Sequence, residues 1–126
     1  MKVLWRADAS LTIGTGHVMR CLTLARMLAG RGAEIAFACR AHPGNLIAPI
    51  EAAGFQVHSL PLSGREDAEG PAHAAWLGGH WQDEAGYLAG LVADAGIDWV
   101  VVDHYALDIR FEAAMIRAGA SVMVID

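Results

Sequence analysis

The residue that most directly suggests chemistry is His17, which follows the glycine-rich step Gly14-Thr15-Gly16. The apolar residues after it recur at helical spacing, so His17 lies in the first turn of a predicted helix. Free N–H groups at such an N-terminus favour an anion or an oxygen-rich ligand, and their partial positive charge disfavours an imidazolium by about 0.3–1 kcal/mol. The pattern therefore indicates either a neutral histidine suited to general-base catalysis or a histidine that only caps the helix.

Two predicted strands deliver further polar residues to the same region. The first strand ends at Arg6-Ala7-Asp8 and the fourth at Asp103-His104-Tyr105. In an open parallel sheet of order 3-2-1-4-5 these strands are neighbours, and ligands bind beyond their carboxyl ends. We therefore expect these side chains to converge on one rim, where a carboxylate from each strand is available to orient His17. Arg20, one turn further along the helix, is either a solvated side chain or a contact for a phosphate or carboxylate.

The same residues exclude several common ligand sites. A dinucleotide-binding fingerprint would need a third glycine where the chain has Met19, and the second predicted strand ends at Cys39-Arg40 without a ribose-binding acid. A P-loop would need a Gly-Lys-Ser/Thr sequence, which does not follow the glycine-rich loop. The remaining histidines show no i, i+4 spacing, so neither a metal nor another cofactor is expected. These weaker candidates are His42, His58, His73 and His80.

Short apolar runs alternate with helical patterns along the chain. Near-continuous apolar strands are typical of a parallel sheet covered on both faces, and strands separated by helices cannot pair as hairpins. We therefore predict an α/β, Rossmann-like, three-layer α/β/α fold with right-handed crossovers. Strands are predicted over 2–6, 34–39, 55–60, 99–102 and 121–125, and helices over 15–31, 45–53, 82–95 and 108–119, with Asn45 as a cap and Gly30 or Gly32, Gly54, Gly96 and Gly119 as stops.

Residues 61–80 interrupt this alternation. They contain several Gly and Pro residues and little periodicity, which predicts a long loop or a loop with a short helix. Trp76 and Trp81 argue against a disordered segment. The two indole rings are expected either to anchor the loop to the body of the domain or to line a sugar site.

The composition narrows the class of protein. The 126 residues include 9 Lys or Arg and 14 Asp or Glu, giving a net charge of −5, and 55% of the residues are apolar. This predicts one globular domain without the basic surplus that nucleic-acid binding requires. No run approaches the roughly 18 apolar residues of a membrane helix, and the first residues lack the pattern of a signal peptide. Cys21 and Cys39 form no disulfide framework, which fits a reducing cytoplasm.

The run from Arg6 to Ala25, RADASLTIGTGHVMRCLTLA, closely resembles the opening of the UDP-sugar hydrolases of pseudaminic acid synthesis. The resemblance continues at 76–78 (WLG) and 101–105 (VVDHY), with Leu107, Asp108 and Glu112 following. That family removes UDP from UDP-2,4-diacetamido-2,4,6-trideoxy-β-L-altrose. It is similar in shape to two-domain glycosyltransferases of the GT-B type.

The resemblance implies a metal-independent reaction. The histidine that matches His17 is the general base for a water that attacks the anomeric carbon with inversion, and cleavage of the C–O bond releases UDP. Because a nucleoside diphosphate is already a good leaving group, the water needs a base more than the leaving group needs a strong acid. Carried over position by position, the family's sugar pocket corresponds to Arg6, Asp8, Gly14, Thr15 and Gly16, with Asp103, His104 and Tyr105 as its wall.

The resemblance also implies an organisation in two domains. Residues 1–126 would form the N-terminal Rossmann-like domain that carries the base and the sugar site, and a C-terminal domain of the same chain would hold the nucleotide. The expected partners are thus a UDP-amino sugar and that second domain, and residues 1–126 alone should be nearly inactive. Two alternatives remain open. One is a GT-B glycosyltransferase acceptor domain in which His17 deprotonates a hydroxyl, and the other is a non-catalytic sugar- or nucleotide-binding module.

Overall fold

The computed structural model describes residues 1–62 and 74–125, and within them strands and helices alternate. A short 3-10 helix at Ala74–Leu77 follows the third strand. The strands are β1 (Lys2–Ala7), β2 (Glu34–Arg40), β3 (Gln56–Leu60), β4 (Trp99–Asp103) and β5 (Ser121–Val124), and the helices are α1 (Gly16–Ala29), α2 (Ile47–Ala52), α3 (Trp81–Ala95) and α4 (Ile109–Arg117). No helix in the described ranges is long and apolar enough to cross a membrane.

The five strands form one parallel sheet in the order β3-β2-β1-β4-β5. This confirms the predicted α/β fold, and it is the strand order on which the expected convergence at the rim depends. β1 is central, and Ala7 at its end is paired with Asp103 at the end of β4. The carboxyl ends of these two strands are therefore side by side. This register brings the polar residues that follow β1 next to those that follow β4.

The side chains of β1 alternate between two apolar layers. Val3 and Trp5 pack with residues of α1 and α2, whereas Leu4 packs with residues of α3 and α4. The sheet is consequently covered on both faces, as the near-continuous apolar strands predict. The same alternation directs the side chain of Arg6 into the layer of α3, where it is completely buried.

The first two helices differ in their boundaries from the prediction. α1 spans Gly16–Ala29 instead of 15–31, and Gly30 keeps a right-handed conformation, whereas Gly32 has a φ of +94°. α2 begins at Ile47 and not at Asn45, because the Asn45 side chain accepts the Ile47 N–H at 3.0 Å from outside the helix. The N-cap of α2 is Leu46, so Asn45 lies one residue before the predicted position of the cap and binds the first helical N–H from there.

α3 ends at Ala95 and α4 begins after Asp108, as predicted, whereas α3 begins at Trp81 instead of residue 82 and α4 ends at Arg117 instead of residue 119. Gly96 closes α3 in the left-handed conformation, with a φ of +67°. The Asp108 carboxylate accepts the Arg110 N–H at 3.0 Å and caps α4. Asp108 is thus a capping residue, one that the helix dipole also favours.

The interruption between β3 and α3 is a connection that contains a short helix, one of the two predicted forms. Residues 63–73, and with them His73, lie outside the described residues. Arg40 ties both described ends of the connection to the sheet. Its guanidinium donates to the Leu77 carbonyl at 3.0 Å and to the Pro61 carbonyl at 2.8 Å.

Candidate active site

His17 and Asp103 form a hydrogen-bonded pair at the carboxyl edge of the sheet. His17 lies in the first turn of α1 and Asp103 at the end of β4, and the distance from Nδ1 to Oδ1 is 2.7 Å. Because an ionised carboxylate can only accept, the neutral ring carries its proton on Nδ1 and its lone pair on Nε2. The ring is partly accessible, with 16% of the side chain exposed. The arrangement has the form of a base held and oriented by a carboxylate.

Asp103 is held in turn by Arg20. The guanidinium donates from Nε to Oδ2 at 2.8 Å and from Nη2 to Oδ1 at 2.7 Å, and Cys21 Sγ is 3.3 Å from Oδ2. Burial by itself would raise the pKa of Asp103, but the hydrogen bonds from Arg20 and His17 outweigh it and hold the pKa below its ordinary value. The carboxylate therefore stays ionised beside the imidazole. The sequence leaves open whether Arg20 is solvated or contacts a phosphate or carboxylate. In the structure its guanidinium binds the carboxylate of Asp103.

The glycine-rich loop before α1 is internally hydrogen-bonded. Ser10 Oγ accepts the N–H groups of Thr12 and Ile13, and the Gly14 N–H donates to the Ser10 carbonyl at 2.8 Å. Gly14 has a φ of +83°, a conformation that side chains rarely adopt. The two glycines of the step thus differ in function. Gly14 closes the loop, whereas a Cβ on Gly16 would meet no described atom within 4 Å, so the space over the helix terminus is open.

Thr15 is the N-cap of α1, yet its hydroxyl makes no capping bond. The first N–H groups of the helix are therefore not satisfied by the cap side chain, which leaves them available to an oxygen-rich ligand. The sequence prediction for this turn agrees with that geometry. Contact of Thr15 or Gly16 with a sugar stays a prediction.

A second histidine–aspartate pair, His104 with Asp8, lies deeper in the same edge. His104 Nε2 is 2.8 Å from Asp8 Oδ2, and the Ala106 N–H donates to His104 Nδ1 at 3.0 Å. Nδ1 must therefore carry the lone pair and Nε2 the proton. Both ring nitrogens are occupied and the residue is buried. In this state His104 cannot take a proton from a ligand, and it acts as a fixed part of the wall.

Arg6 and Asp8 support this second pair from inside the sheet. The Arg6 side chain is 0% exposed and forms ion pairs with Asp8 and Glu84. Burial by itself would raise the pKa of Asp8, but the charge of Arg6 and the hydrogen bond from His104 hold the pKa well below its ordinary value. The expected convergence on the rim is thus wrong for Arg6, because the strand alternation turns it inward. Of the two carboxylates expected to orient His17, Asp103 binds it, and Asp8 is engaged by Arg6 and His104.

The sequence did not predict a role at this edge for two charged residues of the network, Glu84 and Arg40. Glu84 is buried in the first turn of α3, where it binds both Arg6 and Arg40. Its charge and that of Asp8 offset the two guanidinium charges, so the buried cluster is close to neutral when its histidines are neutral. One signal in the sequence points to Glu84. It precedes Leu88 by one helical turn and so lies on the apolar stripe of α3, where a charged residue needs a buried partner.

Aromatic side chains frame a narrow cleft over His17. The Tyr105 ring lies edge-on to the His17 imidazole, with 5.1 Å between centroids, and the Trp76 ring is 6.5 Å from that of Tyr105. Trp76 therefore lines the candidate site, whereas Trp81 stacks beneath the Arg110 guanidinium and packs against the core. The lining of the cleft is completed by Asp8, Ile13, Asp103 and His104.

Two other features of the described residues bear on the site. No group of three or more His, Cys, Asp or Glu side chains within them has the geometry to hold a metal ion. An apolar groove of about 390 Å³ lies at the other end of the strands, between Met1, Met27 and Trp99. Arg31 is the one titratable side chain among its described lining residues.

The chain is similar in sequence to a curated protein and in fold to a solved structure. The whole chain is 27% identical over 128 residues to UDP-2,4-diacetamido-2,4,6-trideoxy-beta-L-altropyranose hydrolase of Campylobacter jejuni, and it spans only 36% of that protein's length. No protein-family profile matches the sequence. The C-terminal domain of a hydrogenase from Pyrococcus furiosus superposes with a TM-score of 0.56 and 14% identity, over 98% of this chain and 90% of that one. The structural neighbour shows the fold alone, and the chain is a distant relative of a protein named as a nucleotide-sugar hydrolase.

Proposed function

We propose that this chain carries the general base of a UDP-sugar hydrolase, and that His17 is that base. The observation that carries the proposal is the bond from His17 Nδ1 to Asp103, because it leaves the Nε2 lone pair for a ligand in the cleft. The distant similarity to the hydrolase of Campylobacter jejuni supports the class of substrate. Neither the relative's name nor the geometry alone would be sufficient.

In the proposed reaction, a water molecule attacks the anomeric carbon of the sugar. His17 Nε2 takes one proton of the water as the new C–O bond forms, and the bond from the same carbon to the diphosphate oxygen breaks on the opposite face. The products are the free sugar with inverted configuration and UDP, which leaves with the bonding electron pair. The imidazolium then returns its proton to solvent.

Asp103 and Arg20 act on this step through His17. An ionised carboxylate 2.7 Å from Nδ1 stabilises the imidazolium that forms when Nε2 accepts the proton. Arg20 fixes that carboxylate by two parallel hydrogen bonds, a geometry that a lysine could not reproduce. Both are positioning residues, and neither needs to touch the sugar.

The remaining parts of the proposal concern substrate and domain organisation. The candidate substrate is UDP-2,4-diacetamido-2,4,6-trideoxy-β-L-altrose, the nucleotide sugar in the relative's name. Residues 1–126 would form the base-bearing, sugar-facing domain, and a nucleotide-binding domain would complete the cleft. Gly16, Thr15 and Tyr105 are the residues best placed to contact the sugar, because they are exposed around His17.

The test is to follow UDP release by the full-length protein from this nucleotide sugar, with and without candidate acceptors. Release that needs no acceptor supports the hydrolase, release that depends on an acceptor would replace it with a glycosyltransferase, and binding without release would replace it with a binding module. His17→Ala should lower kcat by about 10²–10⁴-fold while UDP binding persists. Met19→Ala, an exposed change in the same helical turn, is the matched control and should retain turnover.

A further inference from the structure

The first turns of α1 direct three donors toward one carboxylate. His17, Arg20 and Cys21 stand at positions i, i+3 and i+4 of the helix, so they share one of its faces. Asp103, at the end of β4, lies against that face, and its side chain is only 1% exposed. The spacing along α1 therefore places a histidine, an arginine and a thiol around a single buried carboxylate.

The Asp103 carboxylate is saturated with hydrogen-bond donors. Oδ1 accepts from His17 Nδ1 and Arg20 Nη2, each at 2.7 Å, and Oδ2 accepts from Arg20 Nε at 2.8 Å and Cys21 Sγ at 3.3 Å. A carboxylate offers about four lone-pair positions, and these four donors from the described residues fill them. A sugar hydroxyl could bind Asp103 only by displacing one of the donors. His17 is therefore the group of this cluster that can accept a proton from a ligand.

The Cys21 thiol is protonated at neutral pH. The residue is fully buried, and burial together with the charge of Asp103 raises the pKa of the thiol well above its ordinary value. The thiol therefore donates to the ionised carboxylate, which can only accept. Because Asp103 is buried as well, removal of the thiol would leave Oδ2 with one donor fewer in a place that solvent does not reach.

Cys39 shows how a cysteine packs in this core without such a contact. It is also buried, and it belongs to the same apolar layer as Cys21, between the sheet and α1. It is not among the donors to Asp103, and apolar packing accounts for its burial. The two buried thiols therefore differ in their contact with the carboxylate, which makes Cys39 a matched comparison for Cys21.

We propose that Cys21 is a positioning residue for the base and acts on His17 through Asp103. As the fourth donor, the thiol fixes Oδ2 and draws charge from the carboxylate, so that Oδ1 holds the Nδ1 proton of the ring without taking it. The proton that His17 receives at Nε2 then leaves an imidazolium beside a carboxylate, and not a neutral ring beside a carboxylic acid. The inference rests on the proposed function, because it affects turnover only if His17 is the base.

The infrared band of the S–H stretch tests the contact itself. In the full-length protein, the difference spectrum against Cys21→Ala isolates the Cys21 band, and the difference spectrum against Cys39→Ala isolates the Cys39 band. A thiol that donates to a carboxylate absorbs at lower frequency than one in an apolar core, so we expect the Cys21 band at the lower frequency. Equal frequencies for the two bands would overturn the proposal.

The proton on His17 Nδ1 shows by NMR whether the thiol acts on the ring. A carboxylate that loses one donor accepts more strongly from the others, so this proton should resonate at lower field in Cys21→Ala than in the unmutated protein. Its resonance should not move in Cys39→Ala. The same position in Cys21→Ala as in the unmutated protein, or the same shift in both variants, would overturn the proposal.

The kinetics of UDP release separate positioning from packing. Cys21→Ala should lower kcat about two- to fivefold at unchanged KM, as expected for the loss of one weak hydrogen bond. Cys21→Ser keeps a donor to Oδ2 and should restore kcat, and Cys39→Ala should leave kcat unchanged. An equal loss in the two alanine variants, or no recovery with serine, would overturn the proposal. If the unmutated protein releases no UDP but both spectroscopic results hold, the proposed function fails and the positioning of His17 by Cys21 stands.

Discussion

The two histidine–aspartate pairs at the carboxyl edge of the sheet use opposite nitrogens of the imidazole ring. His17 is bound to Asp103 through Nδ1, and His104 is bound to Asp8 through Nε2. The second nitrogen of His104 accepts a backbone N–H, whereas that of His17 faces the cleft. The same two residue types therefore form a candidate base in one place and a closed support in the other. What distinguishes them is which ring atom is occupied and how deeply the pair is buried.

The largest expected effect comes from Asp103→Asn. The amide can present an N–H to the imidazole and stabilise the wrong tautomer, so kcat should fall by about 10³–10⁴-fold while the protein stays folded. UDP release and a thermal melt measured on the same preparation check both parts. Asp94→Asn, an exposed change on α3, is the control. Turnover within tenfold of the unmutated protein would show that Asp103 does not orient the base.

The buried pair of His104 and Asp8 is supported by Arg6 and Glu84, and we expect a change in this network to lower the free energy of unfolding. Glu84→Gln keeps the shape of the side chain but removes one of the two carboxylates that pair with Arg6, and we expect a loss of about 3–5 kcal/mol in the free energy of unfolding. Urea unfolding followed by circular dichroism measures it. The neighbouring Asp83→Asn changes an exposed carboxylate and should shift the free energy by less than about 0.5 kcal/mol. If Glu84→Gln has the same urea midpoint as Asp83→Asn, the buried ion pairs do not contribute to the free energy of unfolding.

A smaller effect is expected in acid. The pKa values of Asp8 and Asp103 lie below the ordinary 3.8 in the folded protein, so their contribution to stability is complete above that pH. It is lost as the pH falls below 3.8 toward the folded-state pKa values, because the unfolded chain then binds protons more readily. Melting temperatures between pH 7 and pH 3 should therefore fall less steeply for Asp8→Asn than for the unmutated protein. Parallel slopes would mean that protonation of Asp8 is not linked to unfolding.

Nitrogen-15 NMR of the His17 and His104 rings tests the difference between the two pairs in the unmutated protein. At a pH where both rings are neutral, we expect the proton on Nδ1 in His17 and on Nε2 in His104. The two tautomers have distinct ring-nitrogen shifts and are assigned through the attached carbon protons. The same tautomer in both rings would contradict the difference in function that we draw between the pairs.

The fold and the edge of the sheet where β1 and β4 end could be predicted from the sequence, because periodicity and chain order determine a parallel sheet and where the carboxyl ends of its strands lie. The sequence could not decide which of two carboxylates, Asp8 or Asp103, binds His17. The choice between them depends on Arg6, which engages Asp8 from the interior, and on Glu84, which holds Arg6 from 78 residues away. Local patterns show that Arg6 alternates with Trp5 and that Glu84 lies on a buried stripe. They do not show that the two side chains meet, because that depends on how α3 packs on the sheet.

The contacts of Asp103 also have a consequence for folding. It lies 86 residues from His17 and 83 from Arg20, and it reaches them only when β4 pairs with β1. Closing so long a loop is slow compared with forming the local turn that contains both helical residues. During refolding, the helical signal should therefore recover before the edge-on contact of His17 with Tyr105. We therefore expect the bond between His17 and Asp103 to form late in folding, so that a partly folded chain would contain the histidine without its carboxylate partner.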